Sequence, residues 1–246
     1  MIDCISVENM RKSDEYTIAN FVPSLELMYR AAYGVFKHID WSGRIAILAG
    51  SGNNGGDGYA LACILKENGY DCTVFSLSSR LSDDSCHYAQ IAQGMGVEIL
   101  PFASRAGLSG WDFVVDCLLG TGFHGAVRAD YKSAIDAIND SGAYVVSVDI
   151  NSGMNGDTGE AETAVKSDLT VTIGYVKNGL ITESAGKYMK RLVCVDIGIV
   201  LAQKENELYS SDEWVTFCCL HGIDPVNRVA ICDGQTCFCW PEWLEM

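Results

Sequence analysis

The most chemically informative stretch of the sequence is the glycine-rich loop Gly50–Gly58, which follows the apolar segment Ile45–Ala49. It carries two amides and a carboxylate, those of Asn53, Asn54 and Asp57. Glycines let a backbone approach a ligand closely, and the free N–H groups of a helix N-terminus attract phosphate. Amide and carboxylate oxygens can in addition bind a cation or move a proton. The stretch therefore predicts a ligand-binding loop that does more than hold phosphate.

Two later loops carry a similar combination of residues. Asp116 lies in an apolar segment that leads into the glycine-rich loop Gly120–Gly125. Asp149 ends another apolar segment, three residues before Ser152. A single acid at a strand end often only caps the next turn. Two such acids beside glycine-rich loops at one sheet edge favour a functional pocket.

Two common nucleotide-binding loops fit the sequence poorly. The pattern Gly50-x-Gly52-x-x-Gly55 matches the dinucleotide fingerprint, but the next predicted strand, Cys72–Leu77, ends without the acidic residue that holds a ribose. A P-loop requires a lysine after its glycines, where this chain has Asp57. NAD-dependent redox chemistry and ATP hydrolysis are therefore disfavoured. A simpler alternative is a glycine-rich turn in which Asp57 caps the following helix.

The chain alternates buried strands with helices, which predicts a parallel sheet covered by helices on both faces. The predicted strands are Ile45–Ala49, Cys72–Leu77, Val97–Leu100, Phe113–Leu118, Tyr144–Ile150, Leu169–Ile173 and Leu192–Ile197. The predicted helices are Val7–Asn20, Ser24–His38, Ser82–Gly94 and Lys132–Asn139, and a further helix opens at Tyr59–Leu65. We expect a Rossmann-like three-layer α/β/α fold with a mostly parallel, doubly wound sheet. Because ligands bind beyond the carboxyl ends of such strands, the three loops should meet at one edge.

The composition restricts the class of protein. The 246 residues suit one large α/β domain, with or without a short appendage. A formal net charge of −15 argues against nucleic-acid binding. No stretch is apolar enough to predict a membrane span, and the first residues predict no secretory signal. Eleven cysteines without a regular framework predict reduced thiols and a cytoplasmic protein without membrane contact.

Five sequence motifs resemble those of the NAD(P)H-hydrate epimerase family, also described as the YjeF N-terminal domain. They are GSGNNGGDG from residue 50, VVDCLLGTGFHG from residue 114, VVSVDINSGMNGDTG from residue 145, SDLTVTIGYVKNGL from residue 167 and LVCVDIGI from residue 192. The first is nearly identical to the family's most distinctive motif. The resemblance covers about residues 5–200, and Asn151 stands where the family usually has proline.

The resemblance implies an isomerase that interconverts the R and S forms of hydrated NADH and NADPH, which carry added water at C6 of the nicotinamide ring. It implies that Asp149 is the catalytic residue, a general acid–base group at the C6 hydroxyl. Substrate contacts are implied for the following loop residues: Asn53, Asn54, Gly55, Gly56, Asp57, Gly120, Thr121, Gly122, Phe123, His124, Gly125, Ala126 and Asp149. His124 is a second candidate for the chemistry, because histidine titrates near neutral pH, but a solvated loop histidine is the simpler interpretation.

The resemblance also implies a metal ion and partners. One potassium ion per subunit is expected among Asn54, Asp116 and Ser152, whose oxygen atoms suit a hard cation. A separate ATP- or ADP-dependent dehydratase would consume the product, and the chain would form a homodimer. In bifunctional relatives a dehydratase domain follows, and we expect residues 201–246 to be too short to contain it.

We therefore expect two parts in this chain. Residues 1–200 would form the epimerase domain, and residues 201–246 a tail of unknown role. The tail is rich in cysteine and tryptophan: Cys218, Cys219, Cys232, Cys237, Cys239, Trp214, Trp240 and Trp243, with His221 nearby. Their spacing matches no zinc motif well, so packing of the aromatic residues on the domain or on a partner is favoured over a metal site.

Two other functions are compatible with the sequence. One is a non-catalytic, dimerising interaction module built on a similar domain. The other is a nucleotide-binding enzyme with different chemistry. The joint presence of Asn54, Asp116, Asp149 and Ser152 favours catalysis, because a scaffold has little need for all four.

Overall fold

Two sheets and six helices make up the described part of the structure. The computed structural model describes residues 2–103, 107–232, 235–241 and 244–245. The strands are β1 Ile2–Ile5, β2 Ile45–Ala49, β3 Cys72–Ser76, β4 Glu98–Pro101, β5 Phe113–Cys117, β6 Tyr144–Val148, β7 Leu169–Ile173, β8 Val176–Lys177, β9 Leu192–Val195, β10 Asn206–Tyr209, β11 Val229–Cys232, β12 Gln235–Cys239 and β13 Leu244–Glu245. The helices are α1 Val7–Asn20, α2 Ser24–Lys37, α3 Asn53–Glu67, α4 Asp83–Gly94, α5 Ala129–Asn139 and α6 Ser211–His221. Short 3₁₀ turns lie at Asn178–Ile181 and Ala185–Lys187.

The main sheet is doubly wound. Its strand order over the described residues is β13-β9-β7-β6-β5-β2-β3-β4. Every neighbouring pair in it is parallel. The chain runs outward from β2 through β3 to β4, then returns to β5 on the other side of β2. The order thus reverses between β2 and β5, and such a reversal leaves a crevice at the carboxyl ends of the two strands.

Strand β2 shows why the sheet is covered on both faces. Its five residues are fully buried. Ile45 and Ile47 pack in a core with α2 and α3, whereas Ala46 and Leu48 pack in a second core with α5. Because strand side chains alternate between faces, an unbroken apolar strand requires helices on both sides. The predicted three-layer α/β/α class is confirmed.

Each predicted strand and helix is present, and away from the site its bounds differ from the prediction by at most three residues. Helix α6 and strands β1, β8 and β10 to β13 were not predicted. Val7–Asn20, Ile45–Ala49 and Leu169–Ile173 have the predicted bounds. Helix α3 starts at Asn53, inside the stretch that was predicted to be a loop. Strand β6 ends at Val148, before its predicted end, because Asp149 has a φ of 70° and leaves the extended conformation.

A second sheet joins the start of the chain to the tail. Its order over the described residues is β11-β12-β10-β1-β8, with β1 antiparallel to β10 and parallel to β8. Helix α1 follows β1 and is held by the residues that precede β10. The side chain of Asn9 donates to the carbonyl of Gln203 at 2.5 Å, and Ser13 and Thr17 accept from the N–H groups of Ala202 and Val200 at 2.9 Å.

The tail has its own small core. Trp214 and Phe217 of α6 pack with three buried cysteines, Cys218, Cys237 and Cys239. Trp240 packs instead against a core cluster of the main part of the chain, and Trp243 lies outside the described residues. All eleven cysteines are free. In the part of the chain that the structure describes, no group of three or more His, Cys, Asp or Glu residues is placed to hold a metal ion. No helix in that part is both long enough and apolar enough to cross a membrane.

Candidate active site

A cavity of about 690 Å³ lies where the loops after β2, β5 and β6 meet. Residues of α1, α2, α4, α5 and β8 also contribute to its wall. The predicted site residues that line it are Asn53, Asn54, Asp57, Gly120, Thr121, Gly122, Phe123, His124 and Asp149. The expected convergence of three loops at one sheet edge is therefore present. The loops after β2 and β5 flank the crevice that the reversal of strand order creates.

Helix α3 directs its N-terminus into this cavity. Gly52 is the N-cap, and Asp57 is the fifth helical residue, so the interpretation of Asp57 as a helix cap is wrong. Gly52 and Asn53 are held from α4, since Ser85 donates to the Gly52 carbonyl and Ser82 donates to Asn53 Oδ1, both at 2.8 Å. The free N–H groups of α3 face the cavity and suit an anionic ligand.

The glycines of this loop serve two different purposes. A Cβ atom on Gly55 would lie 2.2 Å from the Gly50 carbonyl oxygen, so this glycine permits close packing of α3 on the loop. An added Cβ on Gly52 or Gly122 would meet nothing within 4 Å, and both residues line the cavity. Only the second group leaves room for a ligand.

Four predicted substrate-contact residues lie away from the main cavity. Gly55 and Gly56 are buried behind its wall, where Gly56 faces the side chains of Met28 and Ser85. Gly125 lines a neighbouring cavity of about 620 Å³, which shares Phe123 with the first. Ala126 is exposed and lines neither. His124 is an exposed residue at the cavity.

Asp149 is held in place by its backbone and by an ion pair. It is the one non-glycine residue with positive φ among the described residues. Its Oδ1 atom accepts from Lys177 Nζ at 2.5 Å. The fully buried Lys177 also donates to Ile173 O at 2.7 Å and Thr172 Oγ1 at 3.1 Å, so its three donors are used. The Oδ2 atom of Asp149 lies 3.4 Å from the place that a Cβ on Gly120 would occupy.

A buried group of oxygen atoms lies beneath the cavity floor. Asp116 is fully buried and accepts from Ser147 Oγ, from the Ser152 N–H and from Ser152 Oγ, at 2.9, 2.9 and 2.5 Å. Burial raises its pKa, and these hydrogen bonds act in the opposite direction. Ser152 Oγ also lies 2.8 Å from the Leu119 N–H and 3.2 Å from the Leu119 carbonyl oxygen. The loops after β5 and β6 are thereby tied together.

Asn54 of the loop after β2 lies against Gly120 of the loop after β5, and both polar atoms of its side chain are unsatisfied. Oδ1 and Nδ2 are buried and have no hydrogen-bond partner. A Cβ on Gly120 would lie 3.2 Å from Asn54 Cβ, which places the loops after β2 and β5 in contact. Since buried polar atoms are nearly always paired, these two atoms indicate missing ligands at this position.

Asn151, the residue in the proline position, fixes the loop by other means. Its side-chain Nδ2, with two hydrogens, lies within 2.9–3.0 Å of three acceptors, Val165 O, Ser167 Oγ and Tyr188 O. Its Oδ1 accepts from Thr170 Oγ1 at 2.6 Å. The fully buried amide thus joins the loop to three later segments, which provides the restraint that a proline ring would otherwise supply.

Among the cavity-wall residues that sequence reasoning missed are two charged residues close to the chemistry, Asp14 of α1 and Lys177 of β8. Burial raises the pKa of Asp14 to about 6, the ammonium of Lys177 opposes this effect, and the Asp149 carboxylate adds to it. Burial also raises the pKa of Asp57 well above its usual range, and the charges of Asp149 and Asp14 add to the rise. A lone lysine in the apolar context of residues 169–181 was an available signal for Lys177. Helix α1 is polar on most of its surface and offers none for Asp14.

Comparisons with known proteins identify the family of this chain. The family model described as "YjeF-related protein N-terminus" matches residues 24–179. The NAD(P)H-hydrate epimerase of Lentilactobacillus buchneri is 35% identical over 207 residues, which cover 81% of this chain and 96% of that protein. The NAD(P)H-hydrate epimerase of Limosilactobacillus reuteri is 40% identical over 190 residues, 74% of this chain and 89% of that protein.

Two further matches concern a longer, bifunctional enzyme and a solved structure. The bifunctional NAD(P)H-hydrate repair enzyme Nnr of Coxiella burnetii is 37% identical over 197 residues, 77% of this chain, but the match spans only 40% of that enzyme. The crystal structure of yeast ynu0 superimposes with a TM-score of 0.64 at 21% identity, over 72% of this chain and 83% of that one, and supports the fold alone. By the family model and by its full-length relatives, this chain belongs to the NAD(P)H-hydrate epimerase family.

Proposed function

We propose that this protein catalyses the epimerisation of hydrated NADH and NADPH at C6 of the nicotinamide ring. The supporting observation is the single cavity at the sheet reversal, where an open helix N-terminus, an unsatisfied asparagine and a lysine-held carboxylate meet. The helix N-terminus and the loop Gly120–Ala126 suit the pyrophosphate, and the carboxylate suits the reacting ring. The reaction is an isomerisation without net redox change.

The reaction requires that one C–O bond break and another form on the opposite face of C6. The lone pair of the ring nitrogen expels the C6 oxygen, which leaves as water once it is protonated. Water then adds to the other face and loses a proton. In this proposal Asp149 is the proton-transfer residue, because its Oδ1 is held by Lys177 while its Oδ2 points toward the Gly120 loop.

A potassium ion fits the oxygen group beneath the cavity. Asn54 Oδ1 is buried without a partner, and it lies at the Gly120 loop that follows the strand carrying Asp116. The Asp116 carboxylate and the Ser152 hydroxyl, which are bonded to each other, would supply the other oxygen donors. Amide, carboxylate and hydroxyl oxygens suit a hard monovalent cation. Bound there, the ion would supply positive charge beneath the substrate site and hold the three loops in register. In this proposal one ion binds per subunit through Asn54, Asp116 and Ser152.

The partners of the reaction follow from the fate of its product. An epimerase equilibrates two forms, so a separate ATP- or ADP-dependent dehydratase that consumes one of them would drive net repair. We further infer a homodimer and a cytoplasmic setting, which eleven free thiols favour. In the same proposal residues 1–200 form the epimerase domain, and residues 201–246 an appended tail.

An epimer-interconversion assay tests this function directly. Hydrated NADH enriched in one epimer would be incubated with purified protein in potassium buffer and resolved by chromatography. We expect a much faster approach to the equilibrium mixture than in buffer alone. An equal rate with and without protein, for both hydrated NADH and hydrated NADPH, would contradict the proposal.

A thermal-shift experiment tests the ion independently of activity. Potassium chloride would replace choline chloride at constant ionic strength. Binding to the folded state at one hundred times the dissociation constant stabilises it by about 2.7 kcal/mol. Asn54→Ala should abolish the potassium-dependent rise in Tm, and Asn20→Ala, an exposed asparagine of α1, should retain it. An unchanged potassium response in Asn54→Ala would refute the assignment.

A further inference from the structure

The carboxyl group of Asp14 is the strongest feature of the cavity that the proposed chemistry does not yet use. Asp14 lies on α1, and its side chain lines the same cavity as Asp57, Asp149 and Lys177. These three carboxyl groups share the cavity with one buried ammonium, and that ammonium is already bonded to Asp149, Ile173 and Thr172. The cavity therefore has more acidic groups than its lysine can neutralise.

The ion pair limits what Asp149 can do. Facing the Lys177 ammonium at 2.5 Å, Asp149 is a carboxylate, and an ionised carboxylate accepts protons and donates none. Departure of the C6 hydroxyl as water requires a donor. A second group that holds a proton near neutral pH is therefore needed in the same cavity.

We propose that Asp14 is the proton donor to the departing C6 hydroxyl and that Asp149 accepts the proton of the entering water. This inference rests on the proposed function. In the first half, the Asp14 proton moves to the oxygen, the C6–O bond breaks, and the ring nitrogen lone pair forms a double bond to C6. In the second half, a water oxygen bonds to C6, the electron pair returns to nitrogen, and the water proton goes to Asp149. Proton exchange with solvent restores both groups, so no oxidant or reductant is required.

The surroundings of Asp14 support this assignment over Asp57. Burial raises the pKa of Asp14 to about 6, so both forms are populated near neutral pH. Burial also raises the pKa of Asp57 well above its usual range, and the charges of Asp149 and Asp14 add to the rise. The charged and titratable groups around the cavity are Arg11 and Glu15 of α1, Asp57 of α3, Asp84 of α4, His124 of the loop after β5, Asp149, and Lys177 of β8.

The pH dependence of kcat/KM for Asp14→Asn, Asp14→Glu and the wild type tests the proposal. The wild-type value should fall as pH rises through about 6, because Asp14 then loses its proton. Asp14→Asn should be slower by about a hundred- to ten-thousand-fold and should not show this fall of kcat/KM with pH. Asp14→Glu should recover much of the rate and also the fall of kcat/KM as pH rises. Asp40→Asn, an exposed aspartate outside the cavity, should match the wild type.

The outcomes distinguish failure of the proposed epimerase function from failure of the inference about Asp14. A wild-type protein that does not accelerate epimerisation overturns the proposed function and this inference together. If the wild type is active and Asp14→Asn still shows the fall of kcat/KM with pH, the inference alone is overturned, whatever the size of the rate loss. A residue with a merely structural role would leave the shape of the pH profile unchanged. Circular dichroism at pH 7 confirms that each variant is folded before its rate is compared.

Discussion

At the scale of single residues, Asp149 and Lys177 form the central interaction of the site. A positive φ at a non-glycine residue costs on the order of 1–3 kcal/mol and persists only where neighbours enforce it. Lys177, the Ile173 N–H and the pairing of the Asp149 N–H with the Val171 carbonyl provide that enforcement. The strain places the carboxylate beyond the strand end, where it faces the cavity.

Replacement of Asp149 by asparagine should affect rate and stability in separable ways. We expect epimerisation to slow by about a hundred- to ten-thousand-fold. Lys177 would keep a buried, unpaired charge, so the free energy of unfolding should fall by about 3–5 kcal/mol. Adding Lys177→Met should recover stability in urea denaturation without recovering the rate. Recovery of both, or loss of neither, would disagree with this account.

The buried carboxyl of Asp14 should reduce stability at neutral pH. Its pKa is raised from 3.8 to about 6, so the folded state binds its proton more tightly than the unfolded state. Proton binding by Asp14 stabilises the folded state fully below pH 4, and this stabilisation is lost as pH rises through 6. Asp14→Asn should therefore stabilise the protein at pH 8 by about 1–3 kcal/mol, roughly 2–4 °C in Tm per kcal/mol.

The matching measurement is Tm against pH for wild type and variant. The difference between their curves should shrink to nothing between pH 6 and pH 4. Asp40→Asn, which is exposed, serves as the control and should show no such dependence. A constant difference across this range would mean that Asp14 does not titrate there.

At the scale of elements, the attachment of α1 decides whether the cavity is closed. Ser13 and Thr17 are fully buried and accept the N–H groups of Ala202 and Val200, and Asn9 reaches the Gln203 carbonyl. Ser6, the N-cap of α1, is bonded to Glu205 through both its N–H and its hydroxyl. The helix that carries Asp14 is therefore positioned by residues almost two hundred positions later.

The double variant Ser13→Ala/Thr17→Val should loosen α1. Each lost acceptor leaves a buried N–H unpaired, at a cost of about 1–3 kcal/mol. Hydrogen exchange in α1 should accelerate more than exchange in α5, on the other face of the main sheet. Thr216→Val, whose exposed hydroxyl is bonded only within α6, is the control and should change stability by less than about 0.5 kcal/mol. Unchanged protection of α1 in the double variant would contradict the role of this attachment.

The sequence predicted some elements well for physical reasons. Unbroken apolar runs such as Ile45–Ala49 and Leu169–Ile173 form strands that are buried on both faces of the sheet. The start of α3 was missed because Asn53–Gly58 contains three glycines, which disfavour a helix unless packing against neighbouring backbone selects it. Asp14 was missed because its cavity wall depends on contacts between α1 and residues 200–205, which no local pattern reveals.

At the scale of the whole molecule, the charge is unfavourable for the proposed substrate. A formal charge of −15 surrounds a site that would receive an anionic dinucleotide. Attraction comes from a few local features, namely the N-terminus of α3, the proposed cation, and Arg11 and Lys177 at the cavity wall. It acts over a few ångströms, whereas the repulsion from the net charge acts over the Debye length.

Ionic strength should therefore increase kcat/KM for hydrated NADPH. With potassium fixed and choline chloride raised from about 20 to 300 mM, the Debye length shortens from about 20 to 6 Å. We expect kcat/KM to increase by about two- to tenfold through a lower KM, because repulsion between the protein and the approaching substrate is screened. Hydrated NADH, which lacks the 2′-phosphate, should gain less. A fall in kcat/KM for both substrates would show that local attraction dominates the approach.

The pairing of β1 with β10 also has a consequence for synthesis on the ribosome. Helix α1 leaves the exit tunnel early, yet its partners between Val200 and Glu205 are translated long after the α/β layers that it covers. The nascent chain can assemble β2 to β7 and the loops around Asp149 while α1 is still undocked. Helix α1 is thus synthesised before the layers that it covers and seated after them, and the growing polypeptide gains its complete cavity only when the segment before β10 has emerged.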